Sequence, residues 1–393
     1  MRSNALAAAF VSRLPFLSAR EKIRLSIHLQ DNFITGEKLL THIAGLGFYG
    51  LEKIAGRRLA RTSWEPRLWL DTAKRDLDFL CSVGGRLVSW NEHEYPAMLR
   101  ETSRPPFALY VRGRLPAGYS PCLAIVGTRY PTGRGMECAF ALAKTASESR
   151  VEVISGLARG IDSAAHKGSL AGYSLAGYSL ANSGPGFAVL GCGIDRIHPP
   201  SNKVLAREII EKGGGLLSEY PPGVNPSRWT FPERNRILAG LCRATLVIEA
   251  PGSSGALITA SFALEEGRDV YVAGHCLGGP RSAGTDAMHA DGAMPVYSFA
   301  DILDDWNCAC PGDHDKLLLK ETAPGLYGKA RSSLCAVPAV GKRTRTKKRL
   351  LPNSKLKRRA QKTAVSSALL CNDEEKGKHC LSGTRFSVVP LKE

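Results

Sequence analysis

Between residues 121 and 306, short apolar runs alternate with stretches of helical spacing. The runs at 123–126, 151–155, 187–190, 215–218, 245–249 and 269–272 predict strands, and 295–298 predicts a weaker one. They are mostly apolar rather than alternating, the pattern of strands covered on both faces. Helices are predicted between them at 134–149, 161–170, 202–211, 235–242 and 254–266. Regular alternation with short connections implies right-handed crossovers, hence an α/β domain whose doubly wound sheet is mostly parallel.

The flanks read differently. Ile23, Leu25, Ile27 and Leu29, then Leu39, Leu40, Ile43 and Leu46, are broken by Gly36, Gly45, Gly47 and Gly50. Helices punctuated by glycine turns resemble a small SAM or helix-hairpin-helix module, assigned here to residues 1–84. Packing or protein interaction is the favoured role for it, ahead of contact with a DNA backbone. Residues 85–120 predict two short strands, at 86–90 and 108–112, that connect into the core domain at 121–306. Residues 307–393 carry no core pattern and read as a basic, flexible, disordered tail. One irregularity lies in the core. Ser169-Leu-Ala-Gly-Tyr173 recurs as Ser174-Leu-Ala-Gly-Tyr178, a local duplication that predicts a surface loop or a lengthened helix end.

Charge sharpens the picture. The formal net charge is +17, and residues 342–362 hold eleven of the lysines and arginines with no acid. Setting those eleven aside leaves +6 for the remainder, so the folded part is mildly basic and the tail strongly so. Both suit a polyanion, most commonly nucleic acid. Eleven cysteines lack the compact spacing of a secreted scaffold and fit a reducing compartment. Cys308, Cys310, Cys371, His379 and Cys380 do not have zinc-site spacing and read as ordinary side chains. No run approaches the length of a membrane-spanning helix, so a cytoplasmic protein is expected.

Chemistry concentrates at strand ends. Gly127 closes the first core strand, and Arg129 stands on the loop before the helix that begins near Gly133. Amide donors, a helix N-terminus and a guanidinium together suit a phosphate, although a solvated arginine reads equally well from this stretch alone. The Gly-Ser-Ser-Gly turn that ends at Gly255 again offers amides and hydroxyls to an anion. Gly127, Gly133 and Gly135 do not form G-x-G-x-x-G, and Ser155 stands where a ribose-binding acid is expected, so no dinucleotide cofactor is predicted. His166, Asp162, Glu219 and Glu249 are available, but no nucleophile elbow, H-E-x-x-H or paired-carboxylate signature accompanies them. A phosphate cradle without a positioned acid or base describes a binder.

Several blocks together carry a specific resemblance. In order they are Ala124-Ile-Val-Gly-Thr-Arg129, Ser155-Gly-Leu-Ala-Arg-Gly-Ile-Asp162 with Ala165-His166, and Ile194-Asp195 with Pro199-Pro200 and Asn202. Ser218-Glu-Tyr-Pro-Pro-Gly223, Phe231-Pro-Glu-Arg-Asn-Arg236 and Ser254-Gly255 with Leu257-Ile-Thr-Ala260 follow. Order and spacing resemble the DNA-processing protein A (DprA/Smf) family over residues 90–300. The resemblance implies an extended Rossmann-like domain that binds single-stranded DNA without sequence preference. It also implies a homodimer that protects incoming strands during natural transformation and loads RecA recombinase on them. The implied DNA-binding residues are Gly127, Thr128, Arg129, Ser155, Gly156, Arg228, Phe231, Arg234, Asn235, Arg236, Ser254 and Gly255, with Lys203 less secure. Arg129 and Arg228 would grip phosphates, and Phe231 or Trp229 would stack on a base. Of Arg234 and Arg236, two apart near a helix start, at most one is expected to face the ligand, with the other available for a structural ion pair. Ala273-Gly274 stands where the family usually has Pro-Gly, and no C-terminal winged helix is legible. Two alternatives stay open. Pro251-Gly-Ser-Ser-Gly255 faintly resembles the loop of lysine-decarboxylase-like phosphoribohydrolases, with Glu265 or Glu266 as the acid, and the tail alone would make a general nucleic-acid binder.

Overall fold

The run Cys122–Val126 buries every side chain, Leu123 and Ile125 toward one apolar cluster and Cys122, Ala124 and Val126 toward another. Such a strand needs cover on both sides, and the fold supplies it. The computed structural model describes residues 2–306 apart from 35–37, 62, 117–120 and 177–183. All described residues belong to one compact unit. The expected basic tail, the five residues weighed for zinc and the end of the tandem repeat lie outside the described residues.

Four helices come first: α1 (Arg2–Ser12), α2 (Ala19–Asp31), α3 (Lys38–Ala55) and α4 (Pro66–Ser82). Strands β1 (Gly85–Ser89) and β2 (Ala108–Gly113) follow, with the short α5 (Ala97–Arg100) between them. From β3 (Cys122–Val126) the chain alternates through α6 (Gly133–Glu148), β4 (Glu152–Ser155), α7 (Ile161–Leu175), β5 (Gly186–Leu190), α8 (Lys203–Glu211) and β6 (Gly215–Ser218). It continues through α9 (Thr230–Leu241), β7 (Ala244–Val247), α10 (Gly255–Glu265), β8 (Asp269–Ala273), α11 (Ala283–Ala290), β9 (Met294–Val296) and α12 (Phe299–Asp305).

The strands form one sheet in the order β1-β2-β6-β5-β4-β3-β7-β8-β9. From β6 to β9 every pairing is parallel. The two short strands expected to lead into the core instead join its sheet as an antiparallel edge, with Tyr110 opposite Ser218. The chain enters the parallel region at β3, winds outward to β6, then returns to lay β7, β8 and β9 on the other side. The switch point therefore falls between β3 and β7, where open α/β sheets gather ligands. Helix α9 makes the return, packing over β5, β4 and β3.

The N-terminal helices share a core with the sheet edge, since Phe10, Val11, Leu14 and Leu25 cluster with Leu87 and Tyr110. Ser18 and Glu21 form a capping box at the start of α2, and Glu21 also accepts from Arg57 Nε at 2.6 Å. Gly47, with φ 55°, breaks α3 into two helical stretches, the conformation that glycine adopts without steric cost.

Helix α7 runs past its predicted end at 170 and takes in the first repeat unit. It lies unusually close to α6, because a Cβ on Gly168 or Gly172 would overlap the backbone carbonyl of Phe140 or Lys144. Gly168→Val should therefore force the helices apart and lower the unfolding free energy by about 2 kcal/mol. Gly45→Ala, in open space within α3, should instead raise it slightly. Urea denaturation followed by circular dichroism measures both shifts.

Candidate functional site

The loops that leave the carboxyl ends of β3, β4 and β7, together with the start of α9, enclose a cavity of about 800 Å³. Gly127, Thr128, Arg129 and Tyr130 come from the first loop, and Ser253, Ser254 and Gly255 from the loop before α10. Arg228, Phe231, Arg234 and Asn235 come from α9 and the loop preceding it, and Arg281 from the loop before α11. Arg129 and Arg228, expected from sequence to meet at one rim, do so. Phe231 adjoins the first, with the Arg129 guanidinium 5.3 Å from its ring centre and the His198 ring at 5.5 Å.

The amides expected to cradle a phosphate are largely taken by the protein itself. The buried Glu249 carboxylate accepts from Thr132 N at 2.9 Å and Thr132 Oγ1 at 2.5 Å, at the N-terminus of α6. Gly135 keeps room for it, because a Cβ there would sit 2.5 Å from the carboxylate. Asp162 Oδ2 accepts from Gly156 N at 3.1 Å and Ala158 N at 3.3 Å. Ser254 caps α10 through Ala256 N. Both carboxylates complement positive backbone ends that the sequence assigns to a ligand.

Four of the expected DNA-binding residues are not cavity-lining, each for a visible reason. Ser155 is fully buried, and its Oγ donates to Ile125 O at 2.7 Å, tying β4 to β3. Gly156 lies beneath the floor, with its carbonyl accepting from Arg234. Arg236 pairs with Glu219 and donates to Arg104 O at 2.9 Å, away from the cavity. Lys203 is an exposed residue at the start of α8. Arg234 borders the cavity but is itself buried, donating to Gly156 O at 2.9 Å and to Val189 O. Neither member of the Arg234/Arg236 pair is thus free for a ligand.

Among the described residues, Arg129, Arg228 and Arg281 make no ion pair or hydrogen bond with the protein. Tyr130, His198 and Arg281 carry no sequence signal for the site; Arg281 follows Gly279-Pro280 in a loop with no motif of its own. Ala250 O accepts from Gly284 N at 2.7 Å, and Asp286 accepts from Ser282 Oγ at 2.6 Å, which fixes the Arg281 loop against β7.

The electrostatics beneath the floor are those of a packed core. Burial holds the Asp162 carboxyl above its ordinary range against the opposing field of Arg234. Burial, assisted by Arg234, pushes the His166 imidazole down to about 3, and its Nε2 has no partner. Asp162 is the only carboxylate lining the cavity among the described residues, and it is internally bonded. Glu265 and Glu266 stand at the far end of α10, where Glu266 accepts from Ser103 Oγ at 2.5 Å. Among the described residues no cluster of three or more His, Cys, Asp or Glu side chains could hold a metal ion, and no helix is long and apolar enough to cross a membrane.

Residues 86–307 match the sequence pattern of the family described as DNA recombination-mediator protein A. Protein Smf of Synechocystis sp. is 39% identical over 236 residues, 59% of this chain and 54% of the relative, so the chain spans about half the length of that protein. DNA processing protein DprA of Streptococcus pneumoniae is 39% identical over 210 residues, 53% of this chain and 70% of the relative. The X-ray structure of DNA processing protein A from Streptococcus pneumoniae superposes with a TM-score of 0.59 at 29% identity, over 77% of this chain and 97% of that one.

His166 gives a test of the packed floor. It is neutral when folded and becomes protonated when unfolded below its ordinary value near 6.5. The stability it contributes is complete above pH 6.5, falls as pH drops from there, and is gone by about 3. His166→Gln should therefore flatten the pH dependence of unfolding between these limits, removing a slope of about 1.4 kcal/mol for each tenfold change in proton concentration. Urea titrations of both proteins at a series of pH values read the difference, and parallel curves would contradict a buried neutral imidazole.

Proposed function

Because the chain belongs to the DNA recombination-mediator protein A family, we propose that it is a non-catalytic binder of single-stranded DNA that holds the sugar-phosphate backbone on Arg129, Arg228 and Arg281. The observation that carries this reading is the meeting of three guanidiniums, without protein ion pairs among the described residues, at one cavity. An arginine fork matches phosphate oxygens bidentately, and a pocket that grips backbone is indifferent to sequence. Phe231 offers an aromatic edge within that ring of charge, suited to a base. The carboxylates a hydrolase would need are either tied to amides, as Asp162 is, or remote from the cavity, as Glu265 and Glu266 are. Loading of RecA recombinase onto the bound strand belongs to the same proposal, supported by the family's description as a recombination mediator, and action as a homodimer in the cytoplasm is proposed with it.

Binding to oligothymidylate should weaken with salt, with a log–log slope of about −0.7 for each phosphate neutralised, or roughly −2 for three arginines. Arg129→Gln should lower affinity about tenfold for all base compositions alike and reduce the slope by about 0.7. Fluorescence anisotropy across a salt series measures both. An unchanged affinity removes this cavity from the reading, and release of free base from nucleoside monophosphates by the wild-type protein replaces it with an enzyme.

A further inference from the structure

A cavity of about 800 Å³ has the size of a small-molecule site. A polymer seated there must leave it in two directions, over whatever surface the rims present. Two rims carry the same pair of neighbours in sequence, a cavity arginine followed by an exposed aromatic. Arg129 is followed by Tyr130, 70% exposed, and Arg228 by Trp229, 41% exposed. Tyr130 borders the cavity, whereas Trp229 stands outside it. Neither ring belongs to any of the hydrophobic clusters, so neither is needed by the core. Arg228 packs its guanidinium 4.5 Å from the Trp229 ring centre, which steadies the indole beside the charge. The loop that carries it is also held, since Ser227 Oγ accepts from Trp229 N at 3.3 Å.

A single exposed aromatic residue needs no explanation, but two of them, each adjoining an arginine without an ion pair at the same cavity, form a pattern with a chemical use. Stacking on a π-face serves any base, and a cation next to the ring serves the phosphate that joins one base to the next. Resting on the single-strand reading above, we propose that Tyr130 at the cavity edge and Trp229 beyond it are stacking platforms for bases, over which a single strand enters and leaves, so that the bound stretch is longer than the cavity itself.

The test compares oligothymidylates of about 4 and about 20 nucleotides with the full chain and its Tyr130→Leu and Trp229→Leu variants. Trp229→Leu should weaken the longer strand about tenfold, as expected for the loss of one stacked base, and leave the shorter strand unaffected, whereas Tyr130→Leu, at the cavity edge, should weaken both. Neither should change the salt slope, because no phosphate contact is removed. The protein has five tryptophans, and the other four are partly or wholly buried. The longer strand should therefore quench an emission component that Trp229→Leu abolishes. Equal losses for short and long strands in Trp229→Leu, or unchanged affinity for the longer one in both variants, overturn the proposal while leaving the cavity reading intact. Failure of the wild-type chain to bind either strand overturns both.

Discussion

The Arg234 guanidinium is buried at the carboxyl edge of the sheet, where it donates to the carbonyls of Gly156 and Val189. The first of these follows β4 and the second lies within β5, so one side chain on α9 joins the return helix to two strands it crosses. A cation taken out of water is costly unless its protons and its charge are both answered. Here carbonyl oxygens answer the protons, and the field of Asp162 answers the charge. Gly156 is required beneath it, since a Cβ at that position would lie 2.5 Å from the guanidinium. Once α9 is fixed this way, Phe231 one turn earlier is set against Arg129, and Arg228 on the preceding loop lines the same cavity.

The same network decides what is left for a ligand. In dinucleotide-binding sheets, helix N-terminal amides at the switch point hold a pyrophosphate. Here Glu249 fills that position at α6 and Asp162 gathers the amides after β4, each acting as an internal anion. What remains outward is three guanidiniums on flexible stems around an aromatic floor. Amide cradles are rigid and suit the compact phosphate of a small molecule. Arginines on long stems tolerate a phosphate that arrives as one unit of a chain, in whichever register the strand presents.

Much of the fold is legible in sequence because the parallel strands are short apolar runs bounded by glycine, and their bounds agree with the structure within about two residues. Sequence spacing starts α9 at Asn235, five residues after its true start at Thr230, because Phe231-Pro232 resembles a loop. Proline is in fact tolerated in a first helical turn, where its missing N–H would have no partner. The fates of Arg234 and Arg236 are not legible. Their partners, Gly156 and Glu219, are 78 and 17 residues away, and no local spacing reveals either. Glu249 looks in sequence like the last residue of a strand, whereas its partner Thr132 is 117 residues distant. The two strands at residues 85–113 look like a connector because nothing in an isolated short strand shows that β6 has an open edge to receive it.

Leu157 shows how the site keeps its shape without a ligand. It is fully buried and adopts φ 55°, a left-handed conformation that a branched side chain disfavours by about 1 kcal/mol or more. Its carbonyl accepts from Asn202 Nδ2 at 2.8 Å, and the amides on either side of it, those of Gly156 and Ala158, go to Asp162. Leu157 does not border the cavity, so no contact with a bound molecule rewards its conformation. The reward is internal: this turn is what points the Gly156 carbonyl at Arg234 and its amide at Asp162. The strain is therefore borne by the folded protein alone, which means that Arg234, Asp162 and the backbone beneath the cavity are set in place before any ligand arrives. Less of any binding free energy then goes into ordering the floor, which favours the proposed reading of weak, sequence-indifferent contacts to a phosphate backbone.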